Sequence, residues 1–393
     1  MATGNSESTE RNIISVVDRL LIRATAERAS DIHIEPRAET VRLRFRIDGV
    51  LVERPGFSPD QGTSIVSRLK VMSELDISEK RLPQDGAFEF VVNGTSVPFR
   101  IATFPTEFGE KIVVRVLSKA DAALSIERLG LSPDHLETLR RVAKHQEGIV
   151  LVTGPTGAGK TTTMYALLHE LESKARNIMT LEDPIEYRFD SIIQGQVNPK
   201  IGFTFSRGLK SILRQDPDVI MVGEMRDVET AEIAFRAALT GHLVFSSLHT
   251  NSVIDTFVRL FDMGLEKFVV ASALRAVIAQ RLVRRLCVNC STATSISESS
   301  RTLLGLDEED ETLEVFEPVG CAACNQTGYF GRIGLYEILE IDDRLADLLK
   351  SQYLSRQAIR EELETRAVQS LREAGRIQVL KGATSVDEVL RVT

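Results

Sequence analysis

No apolar stretch of the chain approaches the ~18 residues that a membrane-crossing helix requires; Lys267 and Arg275 interrupt the best candidate region. The amino terminus is polar and lacks the basic-then-apolar pattern of a secretory leader. Positive charge is in deficit: 48 Lys and Arg against 56 Asp and Glu leave a formal net charge of −8. That balance argues against a surface built to neutralise a phosphate backbone, although a local basic patch stays possible. Cysteine is scarce. Only four occur, all in two C-x-x-C pairs, Cys287/Cys290 and Cys321/Cys324, which excludes a disulfide framework and points to a reducing compartment and a metal site. These absences together predict a cytoplasmic protein.

What is present is the composition of a soluble globular protein, 43% apolar and 26% charged, in 393 residues. That length predicts about two or three domains. The most informative stretch is Gly154-Pro155-Thr156-Gly157-Ala158-Gly159-Lys160-Thr161, followed by Thr162, which fits G-x-x-x-x-G-K-[ST]. Its context fits as well. The apolar, β-branched run Ile149–Thr153 reads as a buried parallel strand, and Thr161 to Ser173 reads as a helix. A strand feeding a helix through such a turn gathers backbone N–H groups at the positive end of the helix dipole. Lys160 can reach the β- and γ-phosphates of a nucleoside triphosphate, and the Thr161 hydroxyl can coordinate Mg²⁺.

Three more apolar strands alternate with helices beyond this turn: Asn177–Leu181, Asp218–Val222 and Leu243–Leu248. They end respectively in Glu182-Asp183-Pro184-Ile185-Glu186, in Gly223-Glu224 and in His249-Thr250-Asn251. Alternation of this kind predicts a parallel α/β sheet, whose ligands gather at the carboxyl ends of the strands. Glu224 is the first choice to orient the attacking water, and Glu186 is its rival. Where a second carboxylate usually precedes that Glu to arrange the Mg²⁺ shell, the chain has Gly223, so Glu182, Asp183 or Glu186 must substitute. His249 is placed to sense the γ-phosphate. His242 and His33 read more readily as structural.

Before the nucleotide motif, residues 11–118 read as a small, mostly antiparallel α/β domain with hairpin turns at Asp48-Gly49 and Asn93-Gly94. Arg42, Arg44 and Arg46 line one face of a strand, a pattern that usually marks a solvated face and otherwise a protein or phosphate interface. Residues 1–10 read as a disordered tail and 119–131 as a linker. Residues 257–286 read as helical, ending in Arg281, Arg284 and Arg285. The two cysteine pairs flank an acidic loop, Asp307–Glu311. Their four thiolates suit a tetrahedral, structural Zn²⁺ site. The segment from Gly328 onward reads as mainly helical.

The ordered set of motifs resembles the secretion-ATPase superfamily. Gly154–Thr161, Thr180–Tyr187, Arg214–Asp218 through Asp227, and Thr240–His242 through Thr250 are similar to its Walker A, Asp-box, Walker B and His-box motifs. Ala29–Pro36, Arg46–Gly49, Gly328–Arg332 and Tyr336-Glu337 extend the likeness over nearly all of residues 11–393. Within the superfamily, the chain most resembles the type II secretion and type IV pilus assembly ATPases, in which a glycine at position 223 is itself usual. The resemblance implies a RecA-like P-loop domain over 132–286, a preceding PAS-like domain, a zinc-binding insertion over 287–327 and a helical region over 328–393. It implies ATP, Mg²⁺ and Zn²⁺ as cofactors and a homo-hexamer at the cytoplasmic side of the bacterial inner membrane. The hexamer would work on platform proteins that add pilin-like subunits, with no direct nucleic-acid partner. It also implies that Arg100 and Arg115 reach the γ-phosphate when a site closes. Full-length members carry a further amino-terminal docking domain, whereas about ten residues precede the first helix here, so the chain is either truncated or a naturally short member, and the resemblance leaves membrane recruitment open. Retraction motors of the superfamily lack the four-cysteine insertion, which favours assembly or secretion. Two readings from other classes are a zinc-ribbon nucleic-acid binder with an auxiliary P-loop, which the acidic balance disfavours, and a non-hydrolysing scaffold, which Lys160, Thr161 and Glu224 disfavour.

Overall fold

The computed structural model describes residues 4–117, 125–172, 175–305 and 314–393. The chain divides into two compact units, Met1–Lys119 and Ala120–Thr393.

The first unit opens with α1 (Gly4–Ala26), so the tail expected to be disordered is helical from Gly4 on. Strands β1 (Ala29–Pro36), β2 (Val41–Ile47) and β3 (Val50–Phe57) precede α2 (Pro59–Met72). Strands β4 (Gln84–Val92), β5 (Thr95–Thr106) and β6 (Gly109–Val116) follow it. They form one antiparallel sheet in the order β3-β2-β1-β6-β5-β4. Both expected hairpin turns are present, with positive φ at Asp48 and Gly49 and at Asn93 and Gly94, as the right-handed twist of the flanking strands requires. Val17, Leu21, Ile32, Ile34, Phe45 and Phe99 meet in the core between α1, α2 and the inner face of the sheet. The arginine stripe on β2 is largely paired. Arg42 bonds Glu53 at 2.9 Å, Arg44 bonds Glu35 at 2.8 and 3.1 Å, and Arg46 lies 3.6 Å from Asp31.

The second unit contains α3 (Pro133–Ala143), β7 (Gly148–Thr153), α4 (Lys160–Leu171), β8 (Ile178–Glu182), β9 (Ile193–Gln196), α5 (Phe205–Ile212), β10 (Val219–Val222), α6 (Val228–Leu239), β11 (Leu243–Leu248), α7 (Val253–Asp262), α8 (Lys267–Ala273) and β12 (Leu274–Leu286). Then come β13 (Thr292–Ser295), α9 (Glu298–Leu304), β14 (Glu314–Glu317), β15 (Tyr329–Glu340), α10 (Asp343–Lys350), α11 (Arg356–Thr365), α12 (Leu371–Leu380) and α13 (Val386–Val392). The main sheet runs β15-β12-β7-β11-β10-β8-β9. Every neighbouring pair is parallel except β12 with β15, so the predicted parallel α/β sheet is present with one antiparallel edge strand. Strands β7, β10 and β11 are buried at every position. Helices cover both faces, as parallel strands without polar alternation require. Met164, Tyr165, Leu167 and Leu168 of α4 pack on one face, and Ala234, Phe235, Phe257 and Val270 of α6 to α8 pack on the other.

Three expectations need correction. The helix expected over 257–286 stops at Ala273, and Leu274–Leu286 is a strand between β7 and β15. Its run of Ala, Val, Ile, Leu and Arg carries no strict alternation because most of it is buried between two neighbours, and pairing overrides helix propensity. The helical carboxyl-terminal region starts only after β15, for the same reason. The linker expected over 119–131 narrows: Ile126 and Leu129, in a short 3₁₀ turn, are buried in the core of the second unit. Part of that linker, and the acidic loop Asp307–Glu311, lie outside the described residues.

Candidate active site

Strand order brings four loops side by side at the carboxyl end of the sheet. β7 leads into Gly154–Thr161, its neighbour β11 into His249, the next strand β10 into Glu224, and β8 into Asp183–Glu186. At this edge of an α/β sheet ligands are bound. Gly154, Gly157 and Gly159 all adopt positive φ, and at Gly154 the space is also closed: a Cβ would come 2.5 Å from the Gln280 carbonyl oxygen. Thr156 lies within this turn, and Lys160, Thr161 and Thr162 form the first turn of α4 with their N–H groups at its open end. Lys160 is 8% exposed, and its ammonium donates to the carbonyls of Gly154 at 2.7 Å and Pro155 at 3.2 Å. Burial lowers its pKa to about 8, with Glu224 opposing that shift and Arg281 adding to it. A buried cation therefore stands within a glycine-rich turn that leads into a helix N-terminus, the arrangement that binds polyphosphate.

Glu224 acts on this cation through space. Its side chain is 13% exposed. One carboxylate oxygen lies 2.5 Å from Arg226, and the other lies 3.2 Å from His249 Nε2. Sequence reading placed Glu224 and His249 each at a strand end; the structure makes those strands neighbours and joins the two side chains. Arg226, missed by the sequence reading, holds the carboxylate from the far side and feels Asp183 as well. His242 is elsewhere: its Nδ1 lies 3.0 Å from the Ala237 carbonyl at the end of α6.

The carboxylates after β8 separate into two groups. Glu182 is 2% exposed, and its oxygens are taken by Tyr165, by Thr180 at 2.5 Å and by Gln194 at 3.1 Å. Burial raises its pKa, against those three hydrogen bonds. It is thus engaged in the interior. Asp183 and Glu186 are exposed. A Cβ at Gly223 would meet Leu181 O at 3.4 Å and Glu182 Cα at 3.5 Å, ordinary contacts, so crowding does not explain the glycine.

In the first unit, Arg100 on β5 and Arg115 on β6 are directly opposite each other, and Asp31 on β1 is opposite Arg115 on its other side. Arg115 is 58% exposed at its side chain, with Nε 2.9 Å from Asp31. Two cations opposed across strands repel unless an anion lies near.

The four cysteines form the last cluster. Cys287 directly follows β12, Cys290 lies in the next turn, and Cys321 and Cys324 bracket a 3₁₀ turn before β15. Their sulfur atoms all lie within 4.8 Å of one another, with pairs at 3.8 to 3.9 Å. A tetrahedral ion with ~2.3 Å metal–sulfur bonds needs sulfurs about 3.8 Å apart. Burial would raise the Cys324 thiol, but backbone N–H groups of Cys321 and Gly328 outweigh it and bring it down to about 6. The donor set fits a closed, four-coordinate metal site.

Fold and site define a P-loop nucleotide-binding protein built on a parallel α/β sheet. Its family follows from comparison: the profile of the Type II/IV secretion system protein family matches residues 6–391, and the chain belongs to that family. It is 47% identical, over 97% of its length and 75% of the relative's, to the type II secretion system ATPase E of Vibrio cholerae. Identity to the type IV pilus assembly ATPase PilB of Acinetobacter baylyi is 44%, over 98% of this chain and 67% of that one. Among solved structures, the pilus retraction motor PilT with bound ADP superposes with a TM-score of 0.63 at 26% identity, over 96% of each chain. The Legionella pneumophila ATPase DotB superposes at 0.71 with 24% identity, over 96% of this chain and 95% of that one, a likeness of fold.

Proposed function

We propose that this protein is an ATP-hydrolysing motor of type II protein secretion, driving assembly of pilin-like subunits. The observation that carries the reading is Glu224, fixed between Arg226 and His249 at the strand end beside the phosphate-binding turn and acting on Lys160 through space. Lys160 and the amides of Gly154–Thr162 hold the phosphates. Mg²⁺, when bound, would neutralise charge that develops on the phosphates; Thr161 would hold it, with the exposed Asp183 as a carboxylate able to complete its shell and Glu182 already engaged by Tyr165, Thr180 and Gln194. Glu224 orients the attacking water and accepts its proton, and His249 keeps that carboxylate in place. Glu186 remains the rival base. Arg100 and Arg115 supply positive charge to the γ-phosphate in the assembled homo-hexamer.

The four-cysteine cluster takes Zn²⁺ as a structural ion: soft thiolates, tetrahedral spacing and no open coordination position support that choice. We read 11–118 as PAS-like, from its antiparallel sheet flanked by helices, and 132–286 together with β15 as RecA-like. The cysteine module over 287–327 is inserted between β12 and β15, and α10 to α13 form a helical cap. The assembly would act in the cytoplasm at the inner membrane on platform proteins. Pilus assembly is the second reading, favoured by 44% identity to a protein named for it. Hydrolysis of ATP by the purified chain with Mg²⁺, lost on changing Glu224, tests the enzymatic claim; restoration of secretion or of piliation in a strain lacking the gene separates the two roles.

A further inference from the structure

Arg281 is a buried charge that the reading above does not use. It is 7% exposed and, among the described residues, its hydrogen bonds go to no carboxylate. Glu337 and Asp255 act on it only through space. Its partners are carbonyl groups. Nη1 donates to Gln280 O at 2.9 Å, Nη2 to Asn251 O at 2.8 Å and Asn251 Oδ1 at 3.1 Å, and Nε to Val392 O at 3.1 Å. Burying a charge that no carboxylate meets in direct contact is costly, and an apolar side chain of similar volume would fill the space without that cost. What a guanidinium offers instead is a rigid planar fork that fixes several acceptors relative to one another.

Those acceptors belong to three parts of the site's frame. Gln280 presses on the phosphate-binding turn: a Cβ at Gly154 would come 2.5 Å from its oxygen and 3.4 Å from Arg281 Nη1. The Gln280 side chain also accepts from Thr163 Oγ1 of α4 at 2.8 Å. Asn251 stands two residues beyond His249. Val392 closes α13, which is tied to β12 again where Arg284 meets Glu388 at 2.6 Å.

We propose that Arg281 is a positioning residue for ATP turnover: its fork holds the His249–Asn251 loop in register with the first glycine of the phosphate-binding turn and ties both to α13. The proposal rests on the reading of His249 as the partner of Glu224. Losing the fork would let that loop shift, so that His249 no longer fixes the carboxylate, while Lys160 and the amides that grip nucleotide stay in place.

The test is steady-state ATP hydrolysis, with Mg²⁺, by the full chain and by Arg281→Gln, His249→Ala and the double variant. Arg281→Gln should lower kcat about 10-fold with KM for ATP within about 3-fold of wild type. In the His249→Ala background the same change should cost less than about 2-fold, because the group it positions is gone. An unchanged kcat, a loss carried by KM, or the full loss repeated in the His249→Ala background overturns the proposal. Normal turnover of His249→Ala alone is a separate result: it removes His249 from the site, and the route through Asn251 falls with it. Should Arg281→Gln fail to fold, Arg281→Lys keeps the charge without the fork and passes through the same cycle with the same expected direction.

Discussion

His249 Nε2 and Glu224 Oε2 lie 3.2 Å apart, joining the ends of two neighbouring parallel strands beside the phosphate-binding turn. The contact fixes one of the two rotatable ends of the carboxylate, and Arg226 fixes the other. His249→Ala should therefore lower kcat by about 10-fold while KM for ATP changes little, since the lost contact orients a base and does not grip nucleotide. Initial-rate measurements across ATP concentrations check this. A rise in KM with kcat unchanged would assign His249 to nucleotide binding.

Arg100 and Arg115 face each other across β5 and β6. If they meet phosphate as it becomes transferable, either alanine variant should lose turnover far more than affinity for a non-hydrolysable ATP analogue. Unchanged turnover in both variants would take them out of the reaction.

Glu337 sets a pH dependence of stability. It is 8% exposed, and burial raises its carboxyl from 4.5 to about 7, against the lowering effects of the Val253 backbone and Arg281. A folded-state pKa above the unfolded value means the stabilising state is the protonated one. That contribution is full below about pH 4.5 and is lost as pH rises through about 7, to the extent of about 3 kcal/mol. Burial lowers His33, His135 and His145, which act with the opposite sign. The quantity to read is thus a difference: Glu337→Gln should gain about 2–3 kcal/mol relative to wild type between pH 5 and pH 8 in urea unfolding. No relative change would contradict the assignment.

The cysteine cluster predicts one Zn²⁺ per chain by elemental analysis. Cys287→Ser or Cys324→Ser should lose the metal and disorder the module between β12 and β15, as a small metal-folded segment does, while ATP still binds at Lys160. Purified chain with no metal and four freely titrating thiols would refute the site.

Much of this was legible in the sequence, and for a physical reason: the phosphate-binding turn, the parallel strands and the hairpin turns are local patterns. Gly154–Thr161 and Asn93-Gly94 each specify their own backbone. Glu224, His249 and the four cysteines could be named because each stands at a recognisable strand end or spacing. β12 could not be read correctly, because its strand character comes from β7 and β15, and β15 begins more than forty residues later. Arg281 was visible only as one of a basic cluster. Its partners at Asn251 and Val392 are 30 and 111 residues away, beyond any local signal. The engagement of Glu182 by Tyr165 and Gln194 was hidden for the same reason.

The central claim is that Glu224 is the base of an ATP hydrolase. Its most direct test is ATP binding and turnover measured together in Glu224→Gln and Glu186→Gln, with Lys160→Ala as the variant that should weaken binding itself. The predicted result is near-normal ATP binding in Glu224→Gln with turnover lowered by about 10²-fold or more, and a smaller effect in Glu186→Gln. Normal hydrolysis by Glu224→Gln, with loss in Glu186→Gln, would contradict it and move the base to the neighbouring strand end.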